Sequence, residues 1–362
     1  MGFYETYKGK KVLITGHTGF KGSWLAIWLK ELGAEVYGYA LAPYTEMDNF
    51  VTTNLSNEMH HLEGDIRDGA KLKGYFQEVS PDFAFHLAAQ PLVLLSYSDP
   101  VGTFDVNLMG VVNFFEAVRA TPSVKAAINI TTDKCYDNRE WVWGYRENDP
   151  MGGKDPYSAS KGCSELITHS YLESFFRNEG TCNIGSARAG NVIGGGDWAK
   201  DRIIPDYFRA VKESRKLEIR NPYATRPWQH VLEPLSGYLD LCAALYNRGK
   251  SLSGGWNFGP EYSTNYSVKE LIDAMLKLDD RGGYTIPAGA SKLHEAVLLK
   301  LDISKAVGLL NWKPVLSFDE TVEFTLKGYQ DDIEGTRVYT KRVSQIKEYT
   351  SKARSKNIEW AG

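Results

Sequence analysis

Short apolar runs alternate with amphipathic ones from the start of the chain. Lys11-Val-Leu-Ile-Thr15 is apolar, rich in β-formers and stops at Gly16, the pattern of a strand buried on both faces. Ser23 to Leu32 follows with helical periodicity. The pairing then repeats. Strands are predicted at Glu35–Leu41, from His61 into a turn ending at Asp68, and at Asp82–Leu87, Lys125–Thr131 and Cys182–Arg188. Helices are predicted at Gly69–Val79, Asp105–Thr121 and from Tyr157 to about Arg177. Such alternation predicts an α/β fold with a doubly wound parallel sheet. Past Arg188 the pattern changes to a glycine-rich loop, Ala189 to Trp198, then to turns at Asn221-Pro222 and Arg226-Pro227-Trp228. The tail after Asp332 is polar and reads as a loosely attached helix, with Lys341 to Lys356 as a solvated face.

The first strand–helix junction carries Gly16-His17-Thr18-Gly19-Phe20-Lys21-Gly22. Glycines at this spacing allow a tight turn and let a pyrophosphate approach the helix amino terminus. The register between strand and helix makes this a dinucleotide-binding, Rossmann-type signal rather than a lone glycine triplet. An acidic residue at the end of the second strand would anchor the ribose of NAD, but Ala40, Leu41, Ala42 and Pro43 stand there. The strand therefore leaves NAD and NADP open. His17 and Lys21 either reach the adenosine half or a phosphate, or face solvent. Asp65 is placed to meet an adenine amino group, or else to cap the helix from Gly69.

A second constellation lies where the Lys125–Thr131 strand ends, in Thr131-Thr132-Asp133-Lys134, and further on in Tyr157-Ser158-Ala159-Ser160-Lys161. Tyr157 and Lys161, four apart on a helix, share a face. An ammonium beside a phenol favours phenolate, lowering a pKa that starts near ~10 and preparing the tyrosine to take an alcohol proton. Strand carboxyl ends are where open α/β sheets bind ligands, so Asp133 and Lys134 would share that pocket. Among Arg202, Arg215, Arg220 and Arg226, guanidinium forks suited to phosphates, Arg226 and one other are the candidates.

Bulk properties remove several classes. A net charge of −3 with scattered basic residues gives no footprint for nucleic acid or a membrane surface. No apolar run reaches bilayer length, and Met1 to Lys11 is no signal segment. Cys135, Cys163, Cys182 and Cys242 form no C-x-x-C pair and have no metal-ligand spacing, so reduced thiols, a cytoplasmic location and no metal are expected.

From about Lys10 to Gly328 the chain resembles the extended short-chain dehydrogenase/reductases, and within them the nucleotide-sugar 4,6-dehydratases, with the CDP-glucose branch nearest. The resemblance is carried by Thr15 to Gly22, Thr132 to Asn138, Glu140 to Glu147, Asp155 to Ser158, Arg188 to Trp198 and Arg226 to Glu233. It implies NAD as cofactor, favours a homodimer packed through the Asp105 and Tyr157 helices, and implies a CDP-hexose substrate. Residues 1–187 would form the NAD-binding Rossmann domain, regaining about 230–258, and 188–362 a smaller C-terminal α/β domain for the nucleotide sugar. Cofactor contacts would come from Gly16, His17, Gly19, Phe20, Lys21, Gly22, Asp65, Ile66, Leu87, Ala88, Ala89, Thr131, Tyr157 and Lys161. On the substrate side it implies Gln90, Asn191, Arg202 and Arg226.

The resemblance further implies oxidation at C4 by Tyr157 with Lys161, with Thr132 on the C4 oxygen. Asp133 would be the acid at the C6 hydroxyl and Lys134 the base at C5. Many relatives have Glu where this chain has Lys134, and a basic residue near Leu94-Leu95. A 4-epimerase or reductase would share Tyr157 and Lys161 without needing Asp133 and Lys134. A non-catalytic dinucleotide-binding regulator would have lost Tyr157 or Lys161.

Overall fold

A computed structural model describes residues 3–261, 265–287 and 298–362. Seven parallel strands form the central sheet: β1 (Lys11–Thr15), β2 (Glu35–Ala40), β3 (His60–Glu63), β4 (Phe83–His86), β5 (Ala126–Ile130), β6 (Asn183–Ala189) and β7 (Gly254–Phe258). Their spatial order is β7-β6-β5-β4-β1-β2-β3. The chain reverses its direction of travel across the sheet between β1 and β4, so the ligand crevice opens beyond their carboxyl ends.

Alternate residues of each strand face opposite layers. Val12, Ile14, Phe85 and Ile128 pack with Trp24 and Trp28 of α1 (Phe20–Glu31). Leu13, Ala84 and Ala127 face the other way, onto Leu72 and Phe76 of α2 (Gly69–Val79) and Phe114 of α3 (Gly110–Arg119). The predicted helix from Asp105 is a composite. A turn of helix over Pro100–Phe104 and a π-turn over Asp105–Met109 precede α3. The π-turn's extra residue lets Asn107 face inward. There its amide donates to Ser160 Oγ at 2.9 Å and to the Gln90 carbonyl at 3.1 Å, while its own oxygen accepts the Gln90 N–H at 2.9 Å. The helix from Tyr157 is α4 (Pro156–Phe175).

Beyond β6 a second, smaller core gathers around Trp198, Tyr207, Phe208, Met275 and Tyr329. It is built by α5 (Ile203–Lys212), α7 (Val268–Leu278) and α8 (Phe318–Glu334), with two-residue ladders such as Thr225–Arg226 against Tyr266–Ser267. Between these, α6 (Leu232–Arg248) returns to the sheet and β7 extends it.

The tail corrects the sequence reading. Val338–Ser355 forms α9, whose Arg342, Gln345, Ile346 and Tyr349 are buried against α1 and α8. Arg342 pairs with Asp332 with neither side chain exposed, whereas Lys347 and Arg354 of the same helix, and Lys356 just beyond it, remain exposed as expected. Hydropathy could not reveal the buried pair, because the polar side chains are buried by satisfying one another.

Candidate active site

β5 ends at Ile130 and the chain turns through Thr131 to Cys135 at the sheet's carboxyl edge. Thr132 caps the short turn, and its hydroxyl donates to Asp133 Oδ1 at 3.0 Å. The turn rests on a buried polar platform. Thr131 donates to the Glu165 carboxylate, which also accepts from Ser186 Oγ at 2.6 Å and Arg188 at 2.7 Å. Arg188 donates in addition to the Tyr136 hydroxyl at 2.6 Å, and Tyr136 to Asn257 Oδ1 at 2.7 Å. Helix α4 starts firmly because Asp155 accepts from the N–H and the hydroxyl of Ser158, at 2.9 and 2.6 Å, with Pro156 in the first turn. Tyr157 and Lys161 thus project from the first turns of a fixed helix.

Two cavities meet over this edge. The larger, about 780 Å³, is lined by Thr132, Asp133, Lys134, Asn191 and Arg226 among others. The smaller, about 280 Å³, follows the glycine turn past Asp65, Ile66, Leu87, Ala88 and Ala89 to Lys161. Phe20, Lys21, Pro91, Thr131, Tyr157 and Arg202 line both.

The smaller cleft fits a dinucleotide. Gly16 has φ +78°, and a Cβ on it would stand 2.5 Å from the Ala88 nitrogen. Gly22 lies so close beneath the turn that a Cβ would meet the Gly16 oxygen at 2.2 Å. A Cβ on Gly19 meets only that oxygen, at 3.4 Å. Because Gly19 also lines the cleft, its bare backbone leaves room for a phosphate at the start of α1.

The electrostatics separate the groups. Burial raises Asp133 above the usual carboxylate range, against the pull of Lys134, Thr132 and Arg226, and its Oδ2 has no hydrogen-bond partner. Burial lowers Lys161 to about 8, with Glu165 opposing, and its ammonium reaches the Ile130 carbonyl at 3.4 Å. Tyr157 departs from expectation. Burial pushes it up to about 12, and Asp133 and Asp155 add to the rise. The lowering influences are the Thr132 hydrogen bond and Arg202, not Lys161. Lys134 is exposed within the cavity mouth, 5.9 Å from the Tyr157 ring centroid.

Most predicted site residues converge here, with three corrections. His17 turns away from the cleft: its imidazole is fully buried and bonds His61 across 2.7 Å, with Gly38 leaving room for it. Burial and His61 hold it neutral, lowering it to about 3, so it supplies no charge to a phosphate. Gln90 lines the cleft and not the larger cavity, and its amide is spent on the Leu92 backbone and Thr103. Asp68, not Asp65, caps α2, by accepting from Lys71 N; Asp65 lines the cleft and pairs with Arg67 at 2.6 Å. Sequence reasoning missed Asp197, which holds Arg202 at 2.6 Å, and Lys200, Trp228 and Tyr329 in the larger cavity. Asp197-Trp198 closing the glycine-rich loop just ahead of Arg202 was the available signal. Leu92 to Leu95 form an apolar wall of that cavity, with Leu94 and Leu95 at the positions singled out in the sequence.

Comparison with known proteins fits this geometry. The family model for GDP-mannose 4,6-dehydratase matches residues 13–325. The chain belongs to that family. Its membership places it among the extended short-chain dehydrogenase/reductases. A CDP-glucose 4,6-dehydratase of Salmonella typhimurium is 48% identical over 95% of this chain and 97% of its own length. Among solved structures, a dTDP-glucose 4,6-dehydratase of Bacillus anthracis in complex with NAD superposes with a TM-score of 0.71 at 18% identity, covering 90% of this chain and 98% of that one. A UDP-glucose 4-epimerase of Stenotrophomonas maltophila with bound NAD gives 0.78 at 20% identity, covering 90% and 100%. At those identities the superpositions establish the shared fold. They do not separate dehydratase from epimerase chemistry, which falls to the site.

Proposed function

We propose that this chain is an NAD-dependent hydro-lyase that converts CDP-glucose to CDP-4-dehydro-6-deoxyglucose. The observation that carries the reading is Asp133: a buried carboxyl with a free oxygen, beside Lys134 and Tyr157 in one cavity. An epimerase needs no such acid. The 48% identity to the Salmonella CDP-glucose enzyme over nearly the whole chain supports the sugar nucleotide. Bound in the cleft by the glycine turn, Asp65 and Lys161, NAD⁺ supplies a hydride acceptor and later donor, and a positively charged ring.

Tyr157 takes the C4 hydroxyl proton, with Thr132 and the field of Arg202 favouring phenolate against burial. The C4 ketone acidifies the C5 proton, which Lys134 removes. Lys134 stands exposed, so the substrate itself must desolvate it. Asp133, whose pKa burial raises, gives its proton to the departing C6 hydroxyl. Asn191 and Arg226 hold the diphosphate, with Arg202 at the seam. Residues 1–187 with 230–258 serve the cofactor and the later residues mainly the substrate, although α9 packs on the cofactor half. A homodimer through Pro100–Arg119 and α4 accords with exposed Val101, Met109, Leu166 and Phe175. Four free cysteines and no helix long and apolar enough to cross a membrane among the described residues suit a cytoplasmic enzyme.

The test is incubation with NAD⁺ and CDP-glucose, in parallel with the UDP, dTDP and GDP sugars, followed by mass spectrometry. Loss of one water from the CDP sugar alone is expected. An inverted C4 centre without loss of mass would make the chain an epimerase.

A further inference from the structure

Lys21 is the second residue of α1, at the turn where phosphate binding is expected, yet its ammonium lies elsewhere. It donates to the Tyr238 hydroxyl at 3.4 Å and stands 5.7 Å from that ring's centroid. Tyr238 belongs to α6, on the covered side of the sheet. Among the described residues no carboxylate forms an ion pair with Lys21. Burial, with the neighbouring cations Lys161 and Arg202, lowers its pKa to about 8, and the Asp133 carboxyl opposes that shift. Arg202 is already paired with Asp197, whereas Lys21 is not neutralised.

Position gives this charge its meaning. Lys21 lines both cavities, as do Thr131 and Tyr157. That seam is where a hydride must cross between a sugar C4 in the larger cavity and a nicotinamide in the cleft. When the hydride moves, the C4–H bond breaks with its electron pair, the nicotinamide gains a C–H bond, and its ring goes from positive to neutral. The hydroxyl proton goes to Tyr157. An unpaired cation at the seam repels the oxidised ring and leaves the reduced ring indifferent.

We propose that Lys21 is a redox-biasing residue that favours the reduced cofactor, so that hydride leaves the sugar readily and is retained while water is eliminated. This rests on the NAD reading above. It departs from a phosphate-anchoring role, because NAD⁺ and NADH carry the same phosphates and an anchor would serve both equally.

The experiment compares the dissociation constants of NAD⁺ and NADH for the wild type, Lys21→Met and Lys21→Arg, using reduced-nicotinamide fluorescence and competition. Met fills the same space without charge, and Lys21→Gln replaces it if Met impairs folding. The neutral variant is expected to lower the ratio of the NAD⁺ to the NADH dissociation constant about tenfold, and Lys21→Arg to preserve it. Equal weakening of both cofactors in Lys21→Met, or an unchanged ratio, would overturn the inference and leave the cofactor reading intact. A wild type that binds neither cofactor would overturn both.

Discussion

At the scale of single residues, Asp133 and Lys134 distinguish this site from a simple oxidoreductase. Asp133 Oδ1 is held by Thr132, while Oδ2 is buried and unpartnered, an arrangement costly to keep unless the group has work in the cavity. Removing the proton donor should stall elimination after oxidation. Asp133→Asn is therefore expected to lower turnover by about 10²- to 10⁴-fold, with reduced nicotinamide accumulating in a single-turnover absorbance trace. Lys134→Met should give the same trace, since the C5 proton then has no acceptor. Normal turnover in either variant would remove that residue from its assigned role. Because burial raises Asp133, its acid form persists to higher pH than an ordinary carboxyl, and activity that depends on it falls as pH rises through that value.

Among elements, the most informative is α6, whose Glu233 is buried and receives the backbone N–H groups of Val315 and Leu316 and the hydroxyl of Tyr349. Burial outweighs these donors and raises it from 4.5 to about 7. The folded-state value lies above the unfolded one, so its contribution to stability is complete below about pH 4.5 and is lost as pH rises towards about 7. Over that window the loss runs at up to about 1.4 kcal/mol per pH unit. Glu233→Gln should flatten the pH dependence of the urea midpoint there; an unaltered slope would place the titrating group elsewhere. The sequence places this glutamate at the end of a stretch that carries the family resemblance, but nothing there marks it as buried, since it looks like any first-turn acid. The first six strands of the sheet were legible to within about a residue or two, because apolar runs broken by glycine have few other meanings, whereas β7 (Gly254–Phe258) was not predicted. The helix from Asp105 was legible only as a helix, since a π-turn inserts one residue without disturbing the apolar face. Tyr157 and Lys161 were legible as a pair, but their electrostatics were not: burial, invisible in spacing, outweighs the neighbouring charge.

The whole molecule depends on a tail that the sequence made look dispensable. Arg342 of α9 pairs with Asp332 of α8, donates to Asn49 Oδ1 at 2.9 Å and to the Gly328 carbonyl at 3.0 Å. Asn49 in turn donates to Ser23 of α1 at 2.9 Å, at the cofactor turn's helix. Asp332 accepts from Gly196 N at 2.6 Å and Trp198 Nε1 at 3.3 Å, fixing the loop whose Asp197 holds Arg202 in the site. One buried ion pair therefore joins the tail, the cofactor helix and the substrate loop. Arg342→Met would leave Asp332 buried without its cation, a change that costs roughly 3–5 kcal/mol. The expected result is a large fall in the urea midpoint. At a temperature where the variant remains folded, KM for the sugar nucleotide should rise, because the Gly196–Arg202 loop loses its support. Asp332→Asn should repeat the KM effect with a comparable loss of stability, since it leaves the buried Arg342 guanidinium without its counter-ion. Wild-type stability in Arg342→Met would show that α9 merely covers the core. Lost stability with an unchanged KM would show that the tail supports the fold without reaching the site.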